Sequence, residues 1–310
     1  MFQHTAQTPR AKMVSPFDAT LNIDIIYNSE GIMTHIPNMT LANGLKMPQF
    51  GLGVYQVKEG IEVEQAVTTA IEDGYRLIDT AALYGNEVGV GQAIMKSSVP
   101  REELFITTKL WNTDQGYDAT LNAFETSLEK LGLDYIDLYL IHWPSPQRGL
   151  YLESWKAFEE LYKKGRVKAI GVSNFHPEHL DILLKEATVV PMVNQIELHP
   201  YLQQHEIVDY NQAHGIVTES WSPIGGGGGS LLSDPTFKTI GDAYGKSPAQ
   251  VVIRWHIQHG YVVIPKSSHP IRIAENADVF DFELSDKEMA KIDGLNTDER
   301  IGPDPRTANF

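Results

Sequence analysis

Asp118-Ala-Thr-Leu-Asn-Ala-Phe-Glu-Thr-Ser-Leu-Glu-Lys-Leu131, followed after a short connection by the run Ile136-Asp-Leu-Tyr-Leu-Ile-His142, decides the reading of the fold. Leu121, Phe124, Leu128 and Leu131 recur at helical spacing, so the first segment predicts an amphipathic helix. The second is short and apolar, which reads as a buried strand. A second amphipathic run follows over Tyr151–Lys164, with Leu152, Trp155, Phe158, Leu161 and Tyr162 on its apolar side. The same alternation extends in both directions. Further strand candidates are Phe50–Val54, Arg76–Thr80, Leu104–Lys109, Val167–Val172, Met192–Glu197, Val217–Trp221 and Val262–Pro265. Strands alternating with helices imply a parallel sheet, and eight strands are the number that closes a (β/α)8 TIM barrel. A doubly wound open sheet is the competing topology, and counting strands does not separate the two.

Upstream of the first strand, Asn43-Gly44 stands between short apolar runs and predicts a short N-terminal hairpin with a type I′ turn. Residues 1–37 show no sustained periodicity and are expected to be a poorly ordered extension; residues 38–310 are expected to form a single barrel domain. Gly225–Gly229 is a low-complexity tract after the seventh strand, expected to form a flexible loop over the barrel mouth.

Composition narrows the function classes. The 310 residues carry a formal charge of −15, which speaks against a nucleic-acid partner, and no apolar run is long enough to suggest membrane insertion. There is no cysteine, so disulfides, thiolate catalysis and cysteine-held metals are excluded, in keeping with a cytoplasmic protein. No metal is expected: His176 and His179 are three apart with no third ligand evident. Gly89-Val-Gly91 is similar to the start of a dinucleotide fingerprint, but Ile94 holds the third glycine position, so the pair reads as helix packing.

The polar residues gather at the strand ends that lead into the following loops. Asp79 ends the second strand, Lys109 the third and His142 the fourth. Ser173 and Asn174 follow the fifth, Gln195 lies in the sixth, Trp221 and Ser222 end the seventh, and Lys266 follows the eighth. In a barrel all these ends face one rim, where active sites form. Singly, each has an ordinary explanation: a cap for Asp79, a snorkelling lysine for Lys109, a core histidine for His142, packing for Tyr84. Together they make chemical sense. A tyrosine hydroxyl can deliver a proton to a carbonyl oxygen, and a neighbouring ammonium is expected to lower its pKa. Asp79 would hold Lys109 charged and oriented, and His142 would donate to the substrate oxygen or relay the proton.

With these residues in place, the chain resembles the aldo-keto reductases. The resemblance is carried by Gly74-Tyr-Arg-Leu-Ile-Asp-Thr-Ala-Ala-Leu-Tyr-Gly-Asn-Glu87, Ile106-Thr-Thr-Lys-Leu-Trp-Asn112 and Asp134-Tyr-Ile-Asp-Leu-Tyr-Leu-Ile-His-Trp-Pro144. Gly171-Val-Ser-Asn-Phe175, Asn194-Gln-Ile-Glu-Leu-His-Pro200 and Ile264-Pro-Lys-Ser-Ser268, with Arg272 and Glu275-Asn276, continue it. Glu219-Ser-Trp221 and Asp278-Val-Phe-Asp-Phe282 are most similar to bacterial 2,5-diketo-D-gluconate reductases.

The resemblance implies a catalytic tetrad of Asp79, Tyr84, Lys109 and His142 and an NADPH cofactor held without a Rossmann domain. It implies that Trp221 stacks on the nicotinamide and that Ser173, Asn174 and Gln195 bind its carboxamide. Ser222, Pro223, Ile224 and Gly225 would lie along the pyrophosphate. Lys266, Ser267 and Arg272 would hold the 2′-phosphate, Ser268 would join the cofactor contacts, and Glu275 and Asn276 would face the adenine. Tyr55, Tyr84, Trp111 and Trp143, with the glycine-rich loop and the C-terminal tail, would line a pocket for a small carbonyl substrate. A monomer is expected. Two other readings compete: a Schiff-base aldolase using Lys109, and a binding subunit like the potassium-channel β-subunits, which share the fold.

Overall fold

A computed structural model describes residues 26–27, 33–34, 36–228 and 230–310. Eight parallel strands form one sheet: β1 Gly51–Gly53, β2 Leu77–Asp79, β3 Phe105–Leu110, β4 Ile136–Ile141, β5 Val167–Ser173, β6 Val193–Glu197, β7 Val217–Trp221 and β8 Val262–Val263. Each neighbours the next in sequence order, and parallel bridges from Phe50 to Val263 and from Gly53 to Lys266 join the last strand to the first. The sheet is therefore a closed (β/α)8 barrel, and the open doubly wound alternative falls.

Side-chain alternation along the strands sorts the barrel interior into layers. The lower layer is apolar: Leu77, Phe105, Leu138, Leu140, Val193 and Val262 pack together there. Further along the inward-facing rows come Asp79, Lys109, Gln195 and Glu219, all buried. The outer faces of the strands carry Ile78, Ile106, Tyr139, Ile141, Ile170 and Val172, which pack in the large core beneath the helices.

The helices include α1 Ile61–Glu72, α2 Glu87–Lys96, α3 Tyr117–Leu131 and α4 Tyr151–Lys163, one after each of the first four strands. Gly89 and Gly91 lie in α2 at close contacts. A Cβ on Gly91 would sit 2.2 Å from the Leu131 carbonyl oxygen, and one on Gly89 would sit 2.4 Å from Val63 Cγ1. The glycine pair serves helix packing. His176 and His179 cap the helix Pro177–Glu186, the His176 amide donating to His179 Nδ1.

The predicted hairpin forms from Asn38–Thr40 and Lys46–Pro48, and Met39, Leu41, Leu45 and Met47 close the bottom of the barrel. Its turn differs from the expected type I′. The Gly44 amide donates to the Leu41 carbonyl and only Gly44 has a positive φ, +85°. This is a type I turn followed by a left-handed glycine. Asn43 keeps a negative φ because its side chain is committed elsewhere: Oδ1 accepts from the Leu45 amide and Nδ2 donates to the Lys168 carbonyl.

Most of the expected extension over residues 1–37 lies outside the described residues. Within it, Ile26–Tyr27 and Met33–Thr34 pair as a two-stranded antiparallel ribbon, which the absence of periodicity did not foreshadow. Gly225–Gly228 forms a single helical turn rather than an irregular loop, with the Gly225 amide donating to the Ser222 carbonyl. Gly225 and Gly226 both have positive φ, open to glycine without strain.

Candidate active site

Asp79 is the last residue of β2 and Lys109 the fifth of β3, so both point into the barrel just below its mouth. Lys109 has no exposed surface, which removes the snorkelling explanation. Its ammonium donates to Asp79 Oδ1 at 2.6 Å, to the Thr80 carbonyl at 2.9 Å and to the Tyr84 hydroxyl at 3.3 Å. Tyr84 ends a short turn, Ala82–Tyr84, closed by the left-handed Gly85. Next to it, Asn86 ties the loops after β1 and β2 together, donating to the carbonyls of Val54 and Val57 and accepting from Thr80. His142 follows β4, buried, with its ring edge-on to Tyr84 and Trp111 at 5.7 Å and 5.3 Å. The structure thus brings all four residues of the expected tetrad to one place.

Electrostatics within the group departs from expectation at one point. Burial pushes Tyr84 up to about 12, against the pull of the Lys109 ammonium. The expected net lowering is corrected: Lys109 does draw the value down, but removing the phenolate from water costs more than one ammonium at 3.3 Å restores. Burial acts to lower Lys109, yet the charges of Asp79 and its neighbours hold it above its ordinary value, so it stays protonated. His142 is driven well below its ordinary value by burial and by Lys109, so its imidazole is neutral.

A cavity of about 640 Å³ opens over this group. Tyr55, Tyr84, Trp111, His142 and Trp143 form one side, and Ser173, Asn174, Gln195, Trp221, Ser222, Pro223 and Ile224 the other. Asn174, held at φ 66°, donates to the His142 carbonyl and accepts from Trp221 Nε1 at 2.9 Å, so one side chain fixes the indole against the histidine backbone. Gln195 Nε2 donates to Asp79 Oδ2 and to Glu219 Oε2, both at 2.9 Å, which leaves its amide oxygen as the group it can offer a ligand. Lys266 lies at the cavity edge, exposed, and neither it nor the exposed Arg272 forms an ion pair among the described residues.

Other expected contacts lie away from this cavity. Arg272, Glu275 and the buried Asn276 sit on the helix Pro270–Ala277, beyond its lining, and Ser267 accepts from the His269 amide at the start of that helix. Gly226, rather than Gly225, reaches the cavity wall.

The pattern of motifs did not reveal how the C-terminal segment is held. Ile301, Gly302, Pro303 and Phe310 also line the cavity, and Phe310 stacks on Trp111 with ring centroids 5.8 Å apart. Buried Glu197 accepts from the amides of Ile301 at 2.6 Å and Gly302 at 2.9 Å. Gly302 passes so close to Trp221 that a Cβ there would be 2.6 Å from the indole. Glu197 stood in a quoted motif, but nothing in its spacing pointed to residues a hundred positions away.

A closed parallel barrel with a buried Asp–Lys–Tyr chain at its C-terminal rim, and the exposed Lys266 at the cavity edge, is the arrangement of a barrel oxidoreductase. The comparisons agree. Residues 49–297 match the model of the Aldo/keto reductase family, and the chain belongs to that family. It is 57% identical over 265 residues to the glyoxal reductase of Bacillus subtilis (strain 168), covering 86% of this chain and 95% of that one. Among solved structures, Gox0644 in its apo form superposes with a TM-score of 0.84 at 49% identity, covering 88% of this chain and 98% of that one. A mutant of Gox0644 has been solved with NADPH. The aldo-keto reductase of Bombyx mori in complex with NADP superposes with a TM-score of 0.80 at 39% identity, covering 86% and 95% of the two chains.

Proposed function

We propose that the protein reduces aldehydes or ketones to alcohols at the expense of NADPH, with Tyr84 as the general acid. The observation that carries this reading is the buried hydrogen-bonded chain from Asp79 through Lys109 to Tyr84, ending in the cavity. The cofactor, when bound, supplies the hydride. The residues present suit it: the Trp221 ring at the cavity wall, the Gln195 oxygen and Asn174 amide beside it, and the exposed cations of Lys266 and Arg272 for a phosphate.

The proton is the protein's part. With a value of about 12, Tyr84 is protonated at neutral pH, yet it is far more acidic than the alcohol it would help to form. The Lys109 ammonium stabilises the phenolate left behind, and Asp79 keeps that ammonium in place. Neutral His142 stands beside Tyr84 as a hydrogen-bonding group for the substrate oxygen. Lys109 is poorly suited to Schiff-base chemistry, which needs a free amine: it is protonated and tied by three contacts.

Aromatic walls from Tyr55, Trp111 and Trp143 suit small aldehydes, ketones and sugar-derived diketones such as 2,5-diketo-D-gluconate. The test is a panel of such carbonyls, with glyoxal included, assayed with NADPH and with NADH. Turnover with NADPH is expected. Absence of reduction across the panel, with NADPH bound, would turn the reading toward a binding role.

A further inference from the structure

Glu219 is a second carboxyl in the barrel interior, and the reaction as described does not use it. It lies at the centre of β7, fully buried, and does not reach the cavity. Among the described residues its carboxyl has one hydrogen bond, from Gln195 Nε2 to Oε2 at 2.9 Å, and Oε1 has no partner. The same Gln195 nitrogen donates to Asp79 Oδ2, so one neutral amide bridges two carboxyl groups. The adjacent strands place Gln195 and Val262 opposite Glu219, and neither titrates. The titratable groups that face it come from across the barrel: Asp79 on β2 and Lys109 on β3.

The interior therefore holds two acids and one ammonium. Asp79 has the ammonium at 2.6 Å and the amide, and is the one equipped to be charged. An ionised Glu219 would be buried on a single neutral hydrogen bond, with one oxygen unsatisfied and a like charge nearby. The neutral acid avoids all three costs.

We propose that Glu219 is a positioning residue that carries a proton while the enzyme works, balancing the Asp79–Lys109 pair, and that its ionisation shuts down carbonyl reduction on the alkaline side. Burial and the Asp79 charge push the Glu219 carboxyl up to about 8, which puts that ionisation within an accessible range. Ionised Glu219 would add a negative charge to the group that must stabilise the Tyr84 phenolate, making Tyr84 a weaker proton donor. Protonated Glu219 leaves the interior balanced. In either state its Oε2 holds the Gln195 nitrogen inward, which keeps the Gln195 oxygen available to a ligand. The inference rests on the reading of Tyr84 as proton donor.

The first test needs no turnover. In wild-type protein labelled with carbon-13 at glutamate side-chain carboxyls, one resonance should titrate above neutral pH, and it should be missing in Glu219→Gln. The second is the pH profile of kcat/KM for reduction. Wild type should fall several-fold between about pH 7 and about pH 9. In Glu219→Gln, which keeps an acceptor for Gln195 but cannot ionise, the fall should move to higher pH. Glu219→Asp, with the carboxyl kept, should retain it. If no glutamate titrates above neutral, or if Glu219→Gln lowers activity equally at every pH, the proposal is wrong. Full activity of Tyr84→Phe would instead remove the Tyr84 reading, leaving the carboxyl titration to decide the charge state of Glu219.

Discussion

At the scale of the residue, the proposed chemistry would divide the site into groups that handle the proton and groups that grip the cofactor, and substitution should separate them. Tyr84→Phe removes the hydroxyl at 3.3 Å from Lys109 and little else. We expect turnover to fall at least about a hundredfold, the low end for a general acid, while NADPH affinity measured by fluorescence titration stays near wild type. Retention of a tenth of the activity would remove Tyr84 as principal acid. Arg272→Ala should weaken NADPH by about tenfold, as befits loss of a charge-assisted contact, and leave NADH almost unchanged. Equal weakening of both would show that the guanidinium does not meet the 2′-phosphate. The expected tetrad was legible in the sequence because Asp79, Lys109 and His142 stand at the ends of successive strands, with Tyr84 in the turn after the first of them, and barrel geometry brings strand ends together. The electrostatic balance was not legible. The sequence shows an ammonium near a phenol, but whether burial or that charge dominates depends on how dry the site is, and Lys109 has no exposed surface at all. Glu219 was hidden for a related reason: in a run of five residues reading Val-Thr-Glu-Ser-Trp, only the register tells which side chains face inward.

Among the elements, the turn at Gly225–Gly228 has no side chains to anchor it at the cavity wall. Four glycines bring no side chains, and each gives up much backbone freedom on ordering. Gly226 faces Ile301 of the C-terminal segment, where a Cβ would come within 3.2 Å of Ile301 Cγ2. If this turn closes over the cofactor, replacing Gly226 and Gly228 by alanine should change the NADPH association and release rates in stopped-flow measurements. Unchanged rates, with unchanged hydrogen exchange of the turn on cofactor addition, would make it a passive linker. The helical order of this tract escaped the sequence reading because consecutive glycines carry no periodicity to read. The hairpin was found and its turn mistaken, since an Asn-Gly pair is consistent with two turn types. The choice fell to the Asn43 amide, which reaches Lys168 on β5 from the other side of the chain.

At the scale of the whole molecule, segments outside the barrel meet both of its ends: the hairpin closes the bottom and the Glu197-held segment lines the mouth. Burial works against the Glu197 charge, but His199 and the amides of Ile301 and Gly302 hold its carboxyl below the usual range. A carboxyl lowered on folding adds stability above the ordinary glutamate value of about 4.3, and that contribution is lost as pH falls through the folded value. Acid should therefore loosen the C-terminal segment. The Ile301 and Gly302 amides should exchange faster as pH drops, after correction for intrinsic rates, and Glu197→Ala should show that fast exchange already at neutral pH. Protection unaffected by the substitution would mean the segment is held by other contacts, such as Phe310 on Trp111. The ring itself imposes a condition on how the molecule comes into being. Phe50 and Val263 complete the circle, and they lie roughly 200 residues apart, so the loop that must close is among the longest the chain offers. Until the eighth strand is made, a growing chain on the ribosome holds seven strands with two bare edges, each able to recruit a neighbouring nascent chain. Productive synthesis would then depend on how long those edges stay open, so slower elongation or crowded polysomes would cost yield even where the finished barrel is stable.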